Sequence, residues 1–316
     1  MSNVVEVNNL TKHFDVKTGI FSSSNNIVKA VDDISFSISK GESLGLVGQS
    51  GCGKTTTARL MTLLEETTSG DIKYLDKQSQ SLVSLDTLNE DDIQNFRSQV
   101  QMIFQDPYES LNPRWSIKNI VAEPLNIHNL GSEDDRVEAV KEMLTTVGLT
   151  PPENYLDRYP HELSGGQRQR VSIARALIMK PSFVICDEPT SMLDVSIRIS
   201  IMDLMLDLAK DLGVSYLYIT HDLAVARYMC ERIAVMFNGK ILEISETEEL
   251  LNNPIHPYTK RLLSSIPVPD PSYKRKKYDI DFTEINEIIR SSDGTDMIEV
   301  KKGHFISTKD FSNELS

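Results

Sequence analysis

"SLGLVGQSGCGKTTTARLMTLLEE" spans residues 43–66. An apolar run of strand length leads into three closely spaced glycines, and a helix-like run follows at Lys54. Residues 48–55, GQSGCGKT, fit the spacing G-x-x-x-x-G-K-[ST]. Gly48, Gly51 and Gly53 let the backbone wrap around phosphate oxygens with its N–H groups turned inward. The positive end of the following helix adds to that cradle. Lys54 is placed for the β- and γ-phosphates, and the Thr55 hydroxyl for Mg²⁺. Strand, glycine loop and helix in this order predict a P-loop that holds a nucleoside triphosphate. The loop does not fix the reaction. The guanine signature N-K-x-D is absent from the sequence.

Outward from this loop the chain reads as a mixed α/β protein. Residues 4–7 and 27–38 are β-rich and alternate, which predicts an antiparallel edge sheet around the loop "KTGIFSSSNN". Residues 71–104 read as further strands with a connecting segment. Residues 115–148 are helical in pattern and stop at Gly148. "PSFVICDEP" at 181–189 and "VSYLYITHD" at 214–222 read as buried strands, and 196–213 as an amphipathic helix closed by Gly213. Residues 233–245 form a hairpin turning at Asn238-Gly239. Buried parallel strands between helices predict an α/β core. "PVPDPSYKRKKYD" at 267–279 reads as a linker whose basic run is a solvated surface. Residues 280–316 alternate weakly and predict a small appended unit.

Composition narrows the partners. With 33 basic and 46 acidic residues, the net charge of −13 argues against a sequence-independent nucleic-acid binder. Cys52, Cys186 and Cys230 have neither disulfide nor zinc spacing and suit a reducing cytosol. "MSNVVEVNNLTKHF" shows no signal-peptide pattern, and no run approaches the ~18 apolar residues of a membrane helix. The expectation is a cytoplasmic protein with no nucleic-acid partner, still able to dock on a membrane protein.

Four residues outside the loop could carry chemistry. Asp187 ends an apolar strand, where a P-loop fold completes its magnesium shell. Glu188 beside it could orient and deprotonate an attacking water. His221 follows another buried strand and could reach a γ-phosphate. Gln105, in "IFQDP", also follows an apolar run. Taken singly, the His221-Asp222 pair is more often a helix cap with a solvated ring, and Gln105 carries little.

"GQSGCGKT", "IFQDP", "LSGGQRQR", "VICDEPTSMLD" and "YITHD" occur in that order. In this the sequence resembles the ATP-binding subunits of ABC transporters. It is similar above all to the oligopeptide/dipeptide importer branch, through "QMIFQDPYESLNPR" at 101–114, "NPIHPYTKRLLSSIPVPDP" at 253–271 and "DMIEVKKGHF" at 296–305, with 272–295 largely unmatched. Within that branch it looks most like the subunit type usually called F. The resemblance implies that Gly48, Gln49, Ser50, Gly51, Cys52, Gly53, Lys54, Thr55 and Thr56 bind the phosphates of ATP, and that Phe14 stacks on adenine. It makes Thr55, Gln105 and Asp187 the Mg²⁺ residues, and Glu188, His221 and Gln105 catalytic. Leu163, Ser164, Gly165, Gly166, Gln167 and Asp194 would act in trans, on a partner's nucleotide. Met192 stands where the family usually has a small residue.

The implied fold is a P-loop NTPase core of ABC type with an antiparallel β subdomain, an inserted helical subdomain and a small C-terminal extension. Residues 1–105 and 163–252 would form the core, 106–162 the helical insertion, and 253–316 the C-terminal region. The implied partners are a second ABC ATPase, a D-type homologue in a heterodimer, with two transmembrane permease subunits and an extracellular or periplasmic substrate-binding protein. The expected work is ATP-driven import at the cytoplasmic face of the membrane, of oligopeptides or dipeptides. The same branch also serves nickel or metal chelates, glutathione and oligosaccharides. From another class, a non-transport ABC ATPase would usually carry two cassettes or long coiled-coil arms, which this chain lacks.

Overall fold

The computed structural model describes residues 2–17, 25–264 and 297–307. The linker at 267–279 and the unmatched segment 272–295 lie outside the described residues. Two sheets and a helical layer account for the fold. The strands are β1 (Asn3–Lys17), β2 (Asn25–Ser39), β3 (Ser43–Val47), β4 (Ser69–Leu75), β5 (Leu82–Ser84), β6 (Val100–Ile103), β7 (Phe183–Asp187), β8 (Ser215–Thr220), β9 (Arg232–Phe237), β10 (Lys240–Glu246), β11 (Met297–Lys301) and β12 (His304–Ser307). The helices are α1 (Lys54–Met61), α2 (Glu90–Gln99), α3 (Pro107–Ser110), α4 (Ile117–Ile127), α5 (Glu133–Thr146), α6 (Glu153–Leu156), α7 (Gly165–Leu177), α8 (Val195–Leu212), α9 (Leu223–Met229), α10 (Thr247–Asn252) and α11 (Pro257–Ser264).

The larger sheet runs β11-β12-β10-β9-β3-β8-β7-β6. From β6 to β9 the pairs are parallel, and every residue of β3, β7 and β8 is buried. A strand covered on both faces needs a continuous apolar run, which explains why these three carry one instead of alternating. Parallel pairing also brings the carboxyl ends of β3, β6, β7 and β8 to one edge, where ligands of open α/β sheets bind.

The smaller sheet, β2-β1-β4-β5, is antiparallel. Its apolar face, with Val5, Val7, Leu10, Ile34 and Phe36, shares one core with Leu44 and Leu46 of β3. That packing lays β2 beside the phosphate loop. Helices α3 to α6 make the insertion. Ile117, Val121, Val140 and Leu144 from this layer join one apolar cluster with Val171 of α7 and Val184 of β7, so the insertion shares its core with the ATPase sheet.

Two elements depart from the sequence reading. The connecting segment within 71–104 contains a ten-residue helix, α2, capped by Asn89 and Asp92. Only Phe96 and Gln99 of it are buried, so no apolar stripe announces it. The part of the C-terminal region at 297–307 is no separate unit. It is a hairpin whose strand β12 pairs with β10, and it continues the main sheet.

Candidate functional site

The edge formed by the parallel strands opens into a cleft of about 1030 Å³. The loop after β3 forms its floor. Gly53 has φ 113°, and a Cβ there would stand 2.1 Å from the Ala30 carbonyl oxygen of β2. A Cβ on Gly48 would stand 2.2 Å from the Met236 carbonyl oxygen. Both glycines are therefore required by close approach, and Gly53 by its positive φ as well. Gly53→Ala is expected to cost roughly 1–3 kcal/mol in backbone strain alone. A denaturation midpoint equal to wild type would show that the loop has room to shift.

Two clasps hold the loop. The Gly239 N–H, in the β9–β10 turn, donates to the Cys52 carbonyl at 2.9 Å, and the Gly239 carbonyl accepts the Asp32 N–H at 2.8 Å. Asn238 and Gly239, at φ 44° and 80°, give the tight turn that the Asn-Gly pair predicts. Lys54 is buried and its Nζ donates to the Gly48 and Gln49 carbonyls at 2.7 and 2.9 Å, so it lies folded along the loop.

The carboxyl ends of the other strands bring the expected residues to the same place. Gln105, Glu188 and His221 line the cleft with Lys54, Thr55 and Thr56. The Thr55 hydroxyl donates to Asp187 Oδ1 at 3.3 Å. Burial pushes the Asp187 carboxyl above the ordinary range; the Thr55 hydrogen bond opposes this and the Glu188 charge reinforces it. Glu188 has φ 45°, unusual for a residue with a long side chain. Its N–H donates to the Ile219 carbonyl at 3.0 Å, and its carbonyl accepts from the Ser191 N–H and hydroxyl at 3.1 and 3.0 Å. These bonds hold the strained backbone and turn the carboxylate to His221 Nδ1, at 2.9 and 3.0 Å.

A hard divalent cation fits these donors. The Thr55 hydroxyl and Asp187 carboxylate are adjacent oxygens, and the Gln105 amide faces the same cleft. Mg²⁺ takes few protein ligands and relies on phosphate and water for the rest. Among the described residues no group of three or more His, Cys, Asp or Glu is placed to hold a metal ion.

Other expected residues stand elsewhere. Phe14, expected to stack on the base, is not among the residues that line the cleft. It pairs with Val28, which does line the cleft, but β1 lies one strand farther from the loop than β2. The ammonium of Lys12 sits 4.8 Å over its ring. The apolar end of the cleft is instead Ile27 and Val28, 57 % and 49 % exposed. Asp32 on the side wall pairs with His13, Lys29 and Lys240. No sequence motif marks these residues, because only the packing of β2 on the loop brings them in.

Leu163 to Gln167 and Asp194 are not among the residues lining the cleft. Leu163 is buried, and Ser164 caps α7. Gly166 packs so closely that a Cβ would meet Ile197 Cγ2 at 2.7 Å. Asp194 is exposed at the start of α8, with Met192, Val195 and Ile199 exposed near it in the chain.

Comparison with known proteins gives the same family twice. Residues 31–191 match the family described as ABC transporter, and residues 242–288 match the oligopeptide/dipeptide transporter C-terminal region. The oligopeptide transport ATP-binding protein OppF of Bacillus subtilis (strain 168) is 46 % identical, over 96 % of this chain and 95 % of its own. OppF of Salmonella typhimurium is 45 % identical, over 87 % and 80 %. Among solved structures, a dimeric ATP-binding cassette in a post-hydrolysis state with ADP and Pi matches with a TM-score of 0.65 at 30 % identity, covering 77 % of this chain and 98 % of that one.

Proposed function

This chain belongs to the ABC transporter family, and from that premise we propose that it is the ATP-hydrolysing subunit of an oligopeptide importer. The observation that carries the reading is the meeting of Lys54, Thr55, Gln105, Glu188 and His221 in one cleft at the ends of four parallel strands. The loop from Gly48 to Thr56 grips the phosphates through backbone N–H groups and Lys54. The apolar end at Ile27 and Val28, with Phe14 paired to Val28 on the next strand, takes the base. Thr55, Asp187 and Gln105 would hold Mg²⁺, which supplies charge neutralisation at the phosphates when bound.

Glu188 takes the proton of the attacking water. His221, held by its Nδ1 contact to that carboxylate, presents its other nitrogen toward the terminal phosphate. The catalysis is mostly positioning and electrostatic stabilisation, as phosphoryl transfer requires. Residues 163–167 and Asp194 serve a partner's nucleotide. In support, they are not among the residues lining this chain's own cleft, and Met192, Val195 and Ile199, near Asp194 in the chain, are exposed apolar residues. That partner is a second ABC ATPase, a D-type homologue in a heterodimer. Phe104, Tyr108 and Trp115, exposed in the segment 104–115 that also holds Gln105, offer a surface for the permease subunits at the cytoplasmic face of the membrane. A substrate-binding protein on the far side completes the importer. Among the described residues no helix is long and apolar enough to cross a membrane.

Lys54→Ala tests the site. ATP titration of the purified chain is expected to show affinity reduced roughly 10- to 150-fold, the ~1.5–3 kcal/mol of a charged hydrogen bond. Unchanged affinity would count against the phosphate assignment. The cargo is tested separately, by uptake of a labelled oligopeptide in cells with and without the gene. Uptake that does not depend on the gene would remove the peptide assignment and leave the ATPase one standing.

A further inference from the structure

The C-terminal family segment reaches the phosphate loop. Tyr258 of α11 is 3 % exposed and tilts against Phe237, with ring centroids 4.4 Å apart. Its ring shares one buried apolar cluster with Val47, the residue that leads into the phosphate loop. One helical turn on, Leu262 lines the nucleotide cleft.

A buried carboxylate fixes this helix. Glu243 of β10 has 0 % exposure, and its oxygens accept the Ile255 and His256 N–H groups at 2.8 and 3.1 Å, just before α11 begins. The same carboxylate lies 2.7 Å from Nε2 of His304, which is 1 % exposed on the tail strand β12. A carboxylate so deeply buried is costly unless its oxygens are met, and here three donors meet them. Glu243 thus joins β10, the entry to α11 and the tail hairpin at one point.

We infer that Tyr258 and Leu262 are positioning residues of this chain's own ATP site: α11 buttresses the Gln49 side of the phosphate loop, and the His304–Glu243 contact holds α11 there. The inference rests on the ATP-binding reading and deepens it. The loop grips phosphate through backbone N–H groups, so its grip depends on where its chain runs. Carbonyls of Ala30 and Met236 confine it at Gly53 and Gly48. At its root, Val47 packs in one apolar cluster with Tyr258, and Leu262 lines the cleft together with Gln49. Removing the Tyr258 ring opens space behind the loop without touching Glu188 or His221, which stand beyond β7 and β8.

The test compares ATP affinity of the full-length chain with KM and kcat of the assembled transporter. Tyr258→Leu is expected to raise Kd and KM by roughly 5- to 20-fold with kcat within about twofold, the split of a lost ground-state contact. Tyr258→Phe, which keeps the ring, is expected to stay within about twofold of wild type. Leu262→Ala, at a half-buried position, tests the same helix should Tyr258→Leu not fold, and is expected to raise Kd severalfold. His304→Ala is expected to raise Kd in the same direction. Met205→Ala, fully buried in α8, is the structural control: it lowers Tm and leaves Kd unchanged. Wild-type Kd in folded Tyr258→Leu, or in Leu262→Ala where the first variant does not fold, overturns the inference alone. A wild-type chain that bound no ATP would remove the ATP-binding reading and this inference with it.

Discussion

Glu188→Gln is expected to bind ATP as wild type does and to hydrolyse it roughly 10²–10⁴-fold more slowly, the usual size of a general-base contribution. The structure makes this substitution selective. The amide has the shape of the carboxylate, and its oxygen can still accept from His221 Nδ1, 2.9 Å from the present carboxylate. The bonds that hold the backbone at φ 45°, to Ile219 and Ser191, involve main-chain atoms of Glu188 and persist. What is lost is the capacity to accept a proton. Phosphate release in a single turnover of the assembled transporter reads the step directly. Hydrolysis at the wild-type rate would remove Glu188 from the reaction. His221 is 59 % exposed at its side chain, so its attraction to Glu188 is screened and serves orientation more than stability.

Much of this site was legible in the sequence because its parts sit at fixed distances from strand ends. Lys54, Gln105, Glu188 and His221 each follow an apolar run within a few residues. Parallel pairing of those runs then brings them together whatever lies between. The fold shows the same logic: β3, β7 and β8 are unbroken apolar runs, and α8 is closed by Gly213 at φ 64°.

What stayed hidden depends on contacts between segments distant in the chain. Phe14 and Val28 are both apolar residues on alternating strands, and nothing local says which of the two reaches the cleft. The register of β1 on β2, and the placement of β2 against the loop, decide it. Helix α2 is hidden for another reason. It is held by its capping box and by Phe96, edge-on to Tyr74 at 4.9 Å, not by an apolar face. Glu243 is the clearest case. In "KILEIS" it alternates as an outward-facing strand residue should, yet it is fully buried, because the segment before α11 and the tail hairpin close over it.

Ser164→Arg is expected to leave ATP affinity of the isolated chain within about twofold of wild type and to abolish ATPase of the assembly. The same residue has work in its own chain, which has to be separated from the work proposed in trans. Its hydroxyl accepts the Gln167 N–H at 3.3 Å, and the Gln167 side chain accepts the Ser164 N–H at 3.0 Å, a reciprocal cap on α7. Losing that cap costs about 1 kcal/mol. Helix α7 survives the loss, since Val171, Ile173, Ala174 and Leu177 anchor it in the core. Ser164→Ala carries the same loss without the bulk, so the two variants share any effect on Tm and differ only in what an arginine does at the exposed surface. There a helix N-terminus offers N–H groups and a positive end to an anion from outside. On the trans role proposed for Ser164, the long side chain fills the space a partner's terminal phosphate would need at this helix end. Assembly with Ser164→Arg should therefore bind nucleotide on each separate chain and fail at closure. If isolated binding fell as far as ATPase did, Ser164 would belong to this chain's own cleft, and the division between a cis phosphate loop and a trans signature would be wrong for this protein.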